Sequence, residues 1–131
     1  MNADAFRWPV RVYWEDTDAG GVVYHAAYVR FLERARTEWL RARGYQQSQL
    51  EILLVVHRLD LVFHSPARLD DQLLVSVQVD EVRKARFRLA QSILDPAGHC
   101  LLSATVTVAC VDRERFRPRP LPEAVLKELL G

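Results

Sequence analysis

The chain has 131 residues, half of them hydrophobic, and a formal net charge of +1. That length and apolar content suit one domain, residues 1–131, with a core that needs neither metal nor disulfide staples. The near-neutral balance excludes the overall charge bias of a nucleic-acid or anionic-membrane binder, so charge matters only where it clusters.

The opening Met1-Asn2-Ala3-Asp4-Ala5-Phe6-Arg7-Trp8 lacks the apolar run of a signal peptide. No stretch approaches the ~18 apolar residues of a membrane span. The expected compartment is therefore the cytoplasm. Two reduced cysteines, Cys100 and Cys110, agree with it. In one strand they would stand roughly 33 Å apart, too far to pair. Neither belongs to a Cys-x-x-Cys pair, which argues against zinc; no cofactor is expected.

Arg7 to Trp14 reads as a first strand, with Trp8, Val10, Val12 and Trp14 on one face. A loop follows, Glu15-Asp16-Thr17-Asp18-Ala19-Gly20-Gly21-Val22-Val23-Tyr24. From His25 to Arg43 the period turns helical, with Tyr28, Leu32, Ala35 and Trp39 forming a stripe. Such a helix would be roughly 28 Å long. Gly44 suits its C-terminus. Gln46 to Glu51 reads as a polar connection.

Leu53 to His64 is a strand closed by Ser65-Pro66, since proline is poorly tolerated inside a sheet. Leu73 to Arg83 is the next, followed by Arg86 to Leu94 with Phe87, Leu89, Gln91 and Ile93 on one side. Asp95-Pro96-Ala97-Gly98 is a turn. Cys100 to Val111 is apolar on both faces, as a central strand would be. Glu123 to Leu130 reads as a short helix behind Pro122. The order strand, long helix, four strands implies an α+β domain with a mostly antiparallel sheet. One helix cannot cover both sheet faces and both edges, so oligomerisation is the simplest remedy.

The chemistry concentrates where the loop meets the helix. The first-turn amides of a helix need acceptors, and no Ser, Thr, Asp or Asn occurs between Ala19 and Ala27. Two readings stay open: the amides are free for a ligand oxygen, or Asp18 or water caps them. Gly20-Gly21 permits positive φ and a close backbone approach, or is simply a tight turn. A carboxylate beside free amides can attack a carbonyl or activate water, while the amides receive the oxyanion; the plainer reading of Asp16 and Asp18 is Asx-turn chemistry. The chain has no Gly-x-Ser-x-Gly and no phosphate loop. His57 and His64 have opposite parity in one strand and would face opposite ways, which argues against a metal pair. Arg83-Lys84 with Arg86 and Arg88, and Arg113, Arg115, Arg117 and Arg119, are basic clusters able to hold phosphates at a rim. Ordinary surface charge is the competing reading for each.

Tyr13 to Tyr28, continuing through Phe31-Leu32-Glu33-Arg34-Ala35-Arg36-Thr37-Glu38, closely resembles the hot-dog-fold acyl-CoA thioesterases. The match is to the 4-hydroxybenzoyl-CoA thioesterase family, in its Tol–Pal-associated YbgC-type branch. FHSPARLDD at Phe63 to Asp71 and ACVDRERFRPRPLP at Ala109 to Pro122 extend it over nearly the whole chain. The resemblance implies a five-stranded antiparallel sheet wrapped around one long helix. It also implies dimers that join two sheets, often paired into tetramers, with sites at the subunit interface. It puts the catalytic carboxylate on Asp18, and it puts the carbonyl-polarising amide, with side-chain assistance, on His25. Gly20, Gly21, Val23 and Tyr24 would shape the substrate site, and Arg83 and Lys84 would meet the CoA phosphates. The implied reaction is hydrolysis of an acyl-CoA, with an acyl-carrier protein as another acyl donor. A hot-dog dehydratase using His25 and Asp18, and a non-enzymatic partner of an envelope complex, are the competing functions.

Overall fold

A computed structural model describes residues 5–45 and 51–130. The connection after Tyr45, through residue 50, lies outside the described residues. The elements are β1 (Phe6–Arg11), a 3-10 turn (Trp14–Asp16), α1 (Ala27–Ala42), β2 (Ile52–Phe63), β3 (Gln72–Val82), β4 (Arg86–Leu94), β5 (Cys100–Asp112) and α2 (Glu123–Leu130). All strands pair antiparallel in the order β1-β3-β4-β5-β2. This is the α+β hot-dog arrangement, with α1 lying on one sheet face.

The 3.6-residue period of α1 buries Ala27, Tyr28, Phe31, Leu32, Ala35, Trp39 and Leu40. They meet the inward row of the sheet, including Val75, Val77, Phe87, Leu89 and Ile93. Fully burying each of the larger side chains contributes about 1.5–3 kcal/mol. Gln91 is the polar exception in that row at 2 % exposure. Its Nε2 donates to the Leu32 and Ser76 carbonyls, each at 3.2 Å, so its burial is compensated.

Three sequence expectations shift. The first strand ends at Arg11, and Trp14 is 80 % exposed rather than on the Val10–Val12 face. The cause is Asp16, whose carboxylate takes the Tyr13 N–H at 2.8 Å and bends the chain into the 3-10 turn. The helix starts at Ala27 instead of His25, because the Ala27 N–H is drawn to the Tyr24 carbonyl at 2.8 Å in a tight turn. The strand from Cys100 lies between β4 and β2, an interior strand as expected. A register shift between Val56 and Arg58 makes His57 the extra residue of a β-bulge. That resets the alternation. His57 opens onto the outer sheet face beside Thr105 and Thr107, and His64 bonds Ser103 of that same β5 row. The two histidines therefore do not face opposite ways. Among the described residues no group of His, Cys, Asp and Glu could hold a metal, and no helix is long and apolar enough to cross a membrane. Cys100 and Cys110 both lie in β5 and are unpaired.

Candidate active site

The loop between β1 and α1 is a small hairpin built by its own side chains. Asp18 opens a turn whose carbonyl takes the Gly21 N–H at 3.0 Å, and its own N–H returns to Val22 at 2.9 Å. Thr17 and Val23 close it as an antiparallel bridge. Gly21 has φ +79°, the left-handed residue that follows such a turn. Gly20 donates its N–H to Asp18 Oδ1 at 2.9 Å, and a Cβ at Gly20 would stand 3.2 Å from that oxygen. Asp18 is thus in an Asx turn, the plainer of the two sequence readings. It is also exposed, and its Oδ2 has no hydrogen-bond partner among the described residues.

Asp16 has a different task. Only 2 % exposed, it holds Tyr13 N–H with Oδ2 at 2.8 Å, and Arg30 of α1 approaches Oδ1 at 3.4 Å. Its carbonyl takes the Tyr24 N–H at 2.9 Å. One residue pins both ends of the loop and the helix, the organiser's place rather than a reactive one.

The far side of the loop is gripped by the segment after β2. Val23 N–H bonds the Ala67 carbonyl at 2.8 Å, Val22 bridges Arg68, and Ala67 N–H bonds the Tyr28 hydroxyl at 3.0 Å. At the helix start Ala26 is the N-cap and no side chain caps it. The Asp18 carboxylate does not fold back to do so. The His25 and Ala26 amides make no hydrogen bond among the described residues, so they remain able to donate to a ligand oxygen at the positive end of α1.

Beside them is a cavity of about 280 Å³ lined by Val23, His25, Tyr28, Phe63, His64 and Pro66. Its walls are mainly apolar. Tyr24 leans out of it, 47 % exposed, with its ring centroid 4.4 Å from that of His25. Phe63 and His64 were not singled out from the sequence as site residues. His64 Nε2 lies 2.9 Å from Ser103 Oγ. The signals for them are the family-like segment that begins at Phe63 and their place directly before Ser65-Pro66, which ends the strand.

Arg83 and Lys84 are elsewhere. They cap the β3–β4 hairpin, ten residues along β3 from Gln72 at the loop end, roughly 33 Å away. Arg83 is paired with Glu81 at 2.8 Å, and Arg88 with both Asp80 and Glu81. Lys84 and Arg86 have no ion-pair partner among the described residues. Within one chain these cations cannot share a site with Asp18 and His25.

The fold and the uncapped helix beside an Asp–Gly–Gly hairpin define a class: the chain belongs to the thioesterase-like superfamily, whose family model matches residues 12–129. Within it the chain is 45% identical over 131 residues to the acyl-CoA thioester hydrolase YbgC of Escherichia coli O6:H1, covering 98% of each. It is also 45% identical to the acyl-CoA thioesterase YbgC of Haemophilus influenzae, covering 95% of this chain and 94% of that one. Among solved structures, a probable thioesterase from Bartonella henselae superposes with a TM-score of 0.86 at 35% identity, covering 90% of this chain and 99% of that one.

Proposed function

We propose that this acyl-CoA thioesterase hydrolyses its substrate with the Asp18 carboxylate and the His25 backbone amide. The observation that carries the assignment is the pair of unengaged groups on the loop that enters α1: Asp18 Oδ2 and the His25 N–H before an uncapped helix. The thioester carbonyl oxygen accepts the His25 N–H and draws the positive end of α1. Asp18 then attacks the carbonyl carbon, expelling CoA thiolate and leaving a mixed anhydride that water cleaves. In the competing route Asp18 takes a proton from a water that attacks instead. Single turnover in isotope-labelled water separates them, since only the anhydride route can place the label in Asp18.

The apolar cavity at Val23, Tyr28 and Phe63 receives the start of the acyl group. Gly21 keeps the hairpin narrow, Gly20 lets Asp18 fold onto its backbone, and Tyr24 holds the His25 ring. Arg83 and Lys84 serve as CoA contacts only through a neighbouring subunit, because they stand at the far end of their own sheet. Antiparallel pairing of two β2 edges supplies that neighbour, placing the hairpin end of one protomer beside the loop end of the other. Two such dimers then form the tetramer. Unpaired Cys100 and Cys110 support a cytoplasmic setting.

The test is thiol release from short aliphatic, long aliphatic and aromatic acyl-CoAs, and from an acylated carrier protein, with Asp18→Asn alongside. Turnover of at least one acyl class that disappears in Asp18→Asn is the expected outcome. Equal turnover by the variant would remove Asp18 from the mechanism. Binding of every acyl-CoA without thiol release would favour a binding scaffold.

A further inference from the structure

Two cavities stand along one seam, where α1 lies against β2. The first, of about 280 Å³, is the one beside the His25 amide, walled by Tyr28 and Phe63. The second, of about 320 Å³, lies further along the helix, between Glu33, Arg36 and Trp39 of α1 and Leu54 and Val56 of β2. The β-bulge at His57 puts both ends of β2 on this seam. It resets the alternation, so Leu54 and Val56 share a row with Leu59, Leu61 and Phe63. Half-buried Leu59 and Leu61 pack against the core between the two cavities, so the passage from one to the other is apolar.

Arg36 is the exception on that seam. It is half-buried, and its Nη1 donates to Gln91 Oε1 at 3.1 Å. Gln91 gives its Nε2 hydrogens to the Leu32 and Ser76 carbonyls, so its oxygen has to face Arg36. The cation is tethered, yet one acceptor serves a whole guanidinium fork. Its other N–H groups have no acceptor among the described residues, and none of them is buried, so they open onto the second cavity. Burial pushes the Arg36 pKa below the ordinary guanidinium value, and Glu33 offsets part of that at a distance. Glu33 is the one acidic residue lining this cavity; it is exposed and forms no ion pair among the described residues. Water screens its charge, while the partly dried guanidinium is poised for a two-pronged, charge-assisted pair with a carboxylate.

The spacing sets the length of what could reach it. The guanidinium lies between the level of Leu32, whose carbonyl shares Gln91, and that of Arg36 itself. At about 1.5 Å per residue, this is roughly 8–14 Å along the axis from Ala27, where α1 begins. An extended chain advances about 1.2 Å per bond, so about six to twelve carbons bridge the interval.

We propose that the enzyme takes acyl-CoA substrates whose chain ends in a carboxylate, bound in the second cavity by the Arg36 guanidinium, with Gln91 positioning it. The proposal rests on the Asp18 and His25 reading above, which fixes the thioester end of the chain, and it names the substrate class of that same site. Hydrolysis consumes one water and releases CoA thiol and a free dicarboxylic acid. A plain fatty acyl chain of equal length sets a methyl group against the cation and takes its water without replacing it.

The test compares two thioesters of one length, suberoyl-CoA and octanoyl-CoA, as the ratio of their kcat/KM values within one preparation. The ratio cancels any loss of folded protein. Wild type should favour suberoyl-CoA by at least roughly tenfold, the worth of a hydrogen-bonded charge pair. Arg36→Met keeps the apolar stem and removes the fork, and should abolish or invert that preference. The change should fall on KM, since Asp18 and the His25 amide are untouched. Arg36→Lys keeps the charge without the fork and should retain part of the preference. A wild type that turns over octanoyl-CoA, loses this in Asp18→Asn, and shows no preference for suberoyl-CoA overturns the Arg36 assignment and leaves Asp18 in place. A preference that survives Arg36→Met overturns it as well. Should Arg36→Met fail to fold, a preference unchanged in Arg36→Lys has the same force. Thiol release from neither thioester, nor from any other acyl-CoA, overturns the proposal together with the reading beneath it.

Discussion

Asp18→Asn removes a charge while sparing a turn. The Gly20 N–H still finds an amide oxygen at Oδ1, where it now bonds the carboxylate at 2.9 Å. Asn is also accepted at the first position of such turns. The lost part is the charge-assisted share of one exposed hydrogen bond, about 0.5 kcal/mol. Activity should fall much further. An amide can neither attack the thioester nor take a proton from water, and losing a positioned acid–base or nucleophilic group costs about 10²–10⁴-fold in rate. That is about 3–5 kcal/mol in the barrier. The measurements are thermal unfolding and thiol release, made on one preparation. A melting curve within a few degrees of wild type with turnover down at least about a hundredfold is the expected pair. Turnover above a tenth of wild type would refute the assignment. So would a collapse of folding with turnover falling in proportion, since Asp18 would then be structural. Asp18→Ala adds a control, because it loses the turn bond as well and should unfold more easily than Asp18→Asn.

Three further outcomes are expected. Asp16→Ala leaves the Tyr13 N–H without its acceptor and frees Arg30, and should cost about 1–3 kcal/mol in denaturant unfolding while lowering turnover through the loop. Gly21→Ala meets no atom within 4 Å but must hold φ +79°; an Ala at such a φ should cost about 1 kcal/mol, read as a lower denaturation midpoint. Burial pushes the Cys110 thiol up from its ordinary value, so native protein should take one alkyl group, on exposed Cys100, and a second only after unfolding. Two adducts on the native chain would contradict the packing of β5.

Most of the fold was legible because it is written in periodicity. The α1 stripe and the alternation of β3 as far as Val79 and of β4 from Phe87 to Ile93 survive, since each is set by one buried face. What was hidden depends on contacts distant in sequence or on a local exception. Nothing near His57 announces a bulge, and one extra residue reverses the face of every residue beyond it. Trp14 reads as the next member of an apolar row, yet the Asp16 carboxylate three positions on from Tyr13 turns the backbone first. At the site, the missing helix cap was visible as a missing residue type. Phe63 and His64 were not, because a strand end becomes a cavity wall only once α1 is laid against it. The distance of Arg83 and Lys84 from Asp18 was equally hidden: the hairpin they cap is near in motif terms and remote along the sheet.

Pro9 and its flanking arginines have a consequence for how large an assembly can grow. A sheet that is sticky at both edges adds copies without limit and ends as a fibre. Here one edge is six residues long and interrupted by a residue with no N–H to offer. In the proposed dimer, joining through β2 occupies the long edge of each protomer, so the sheet ends in two β1 strands and edgewise growth stops at ten strands.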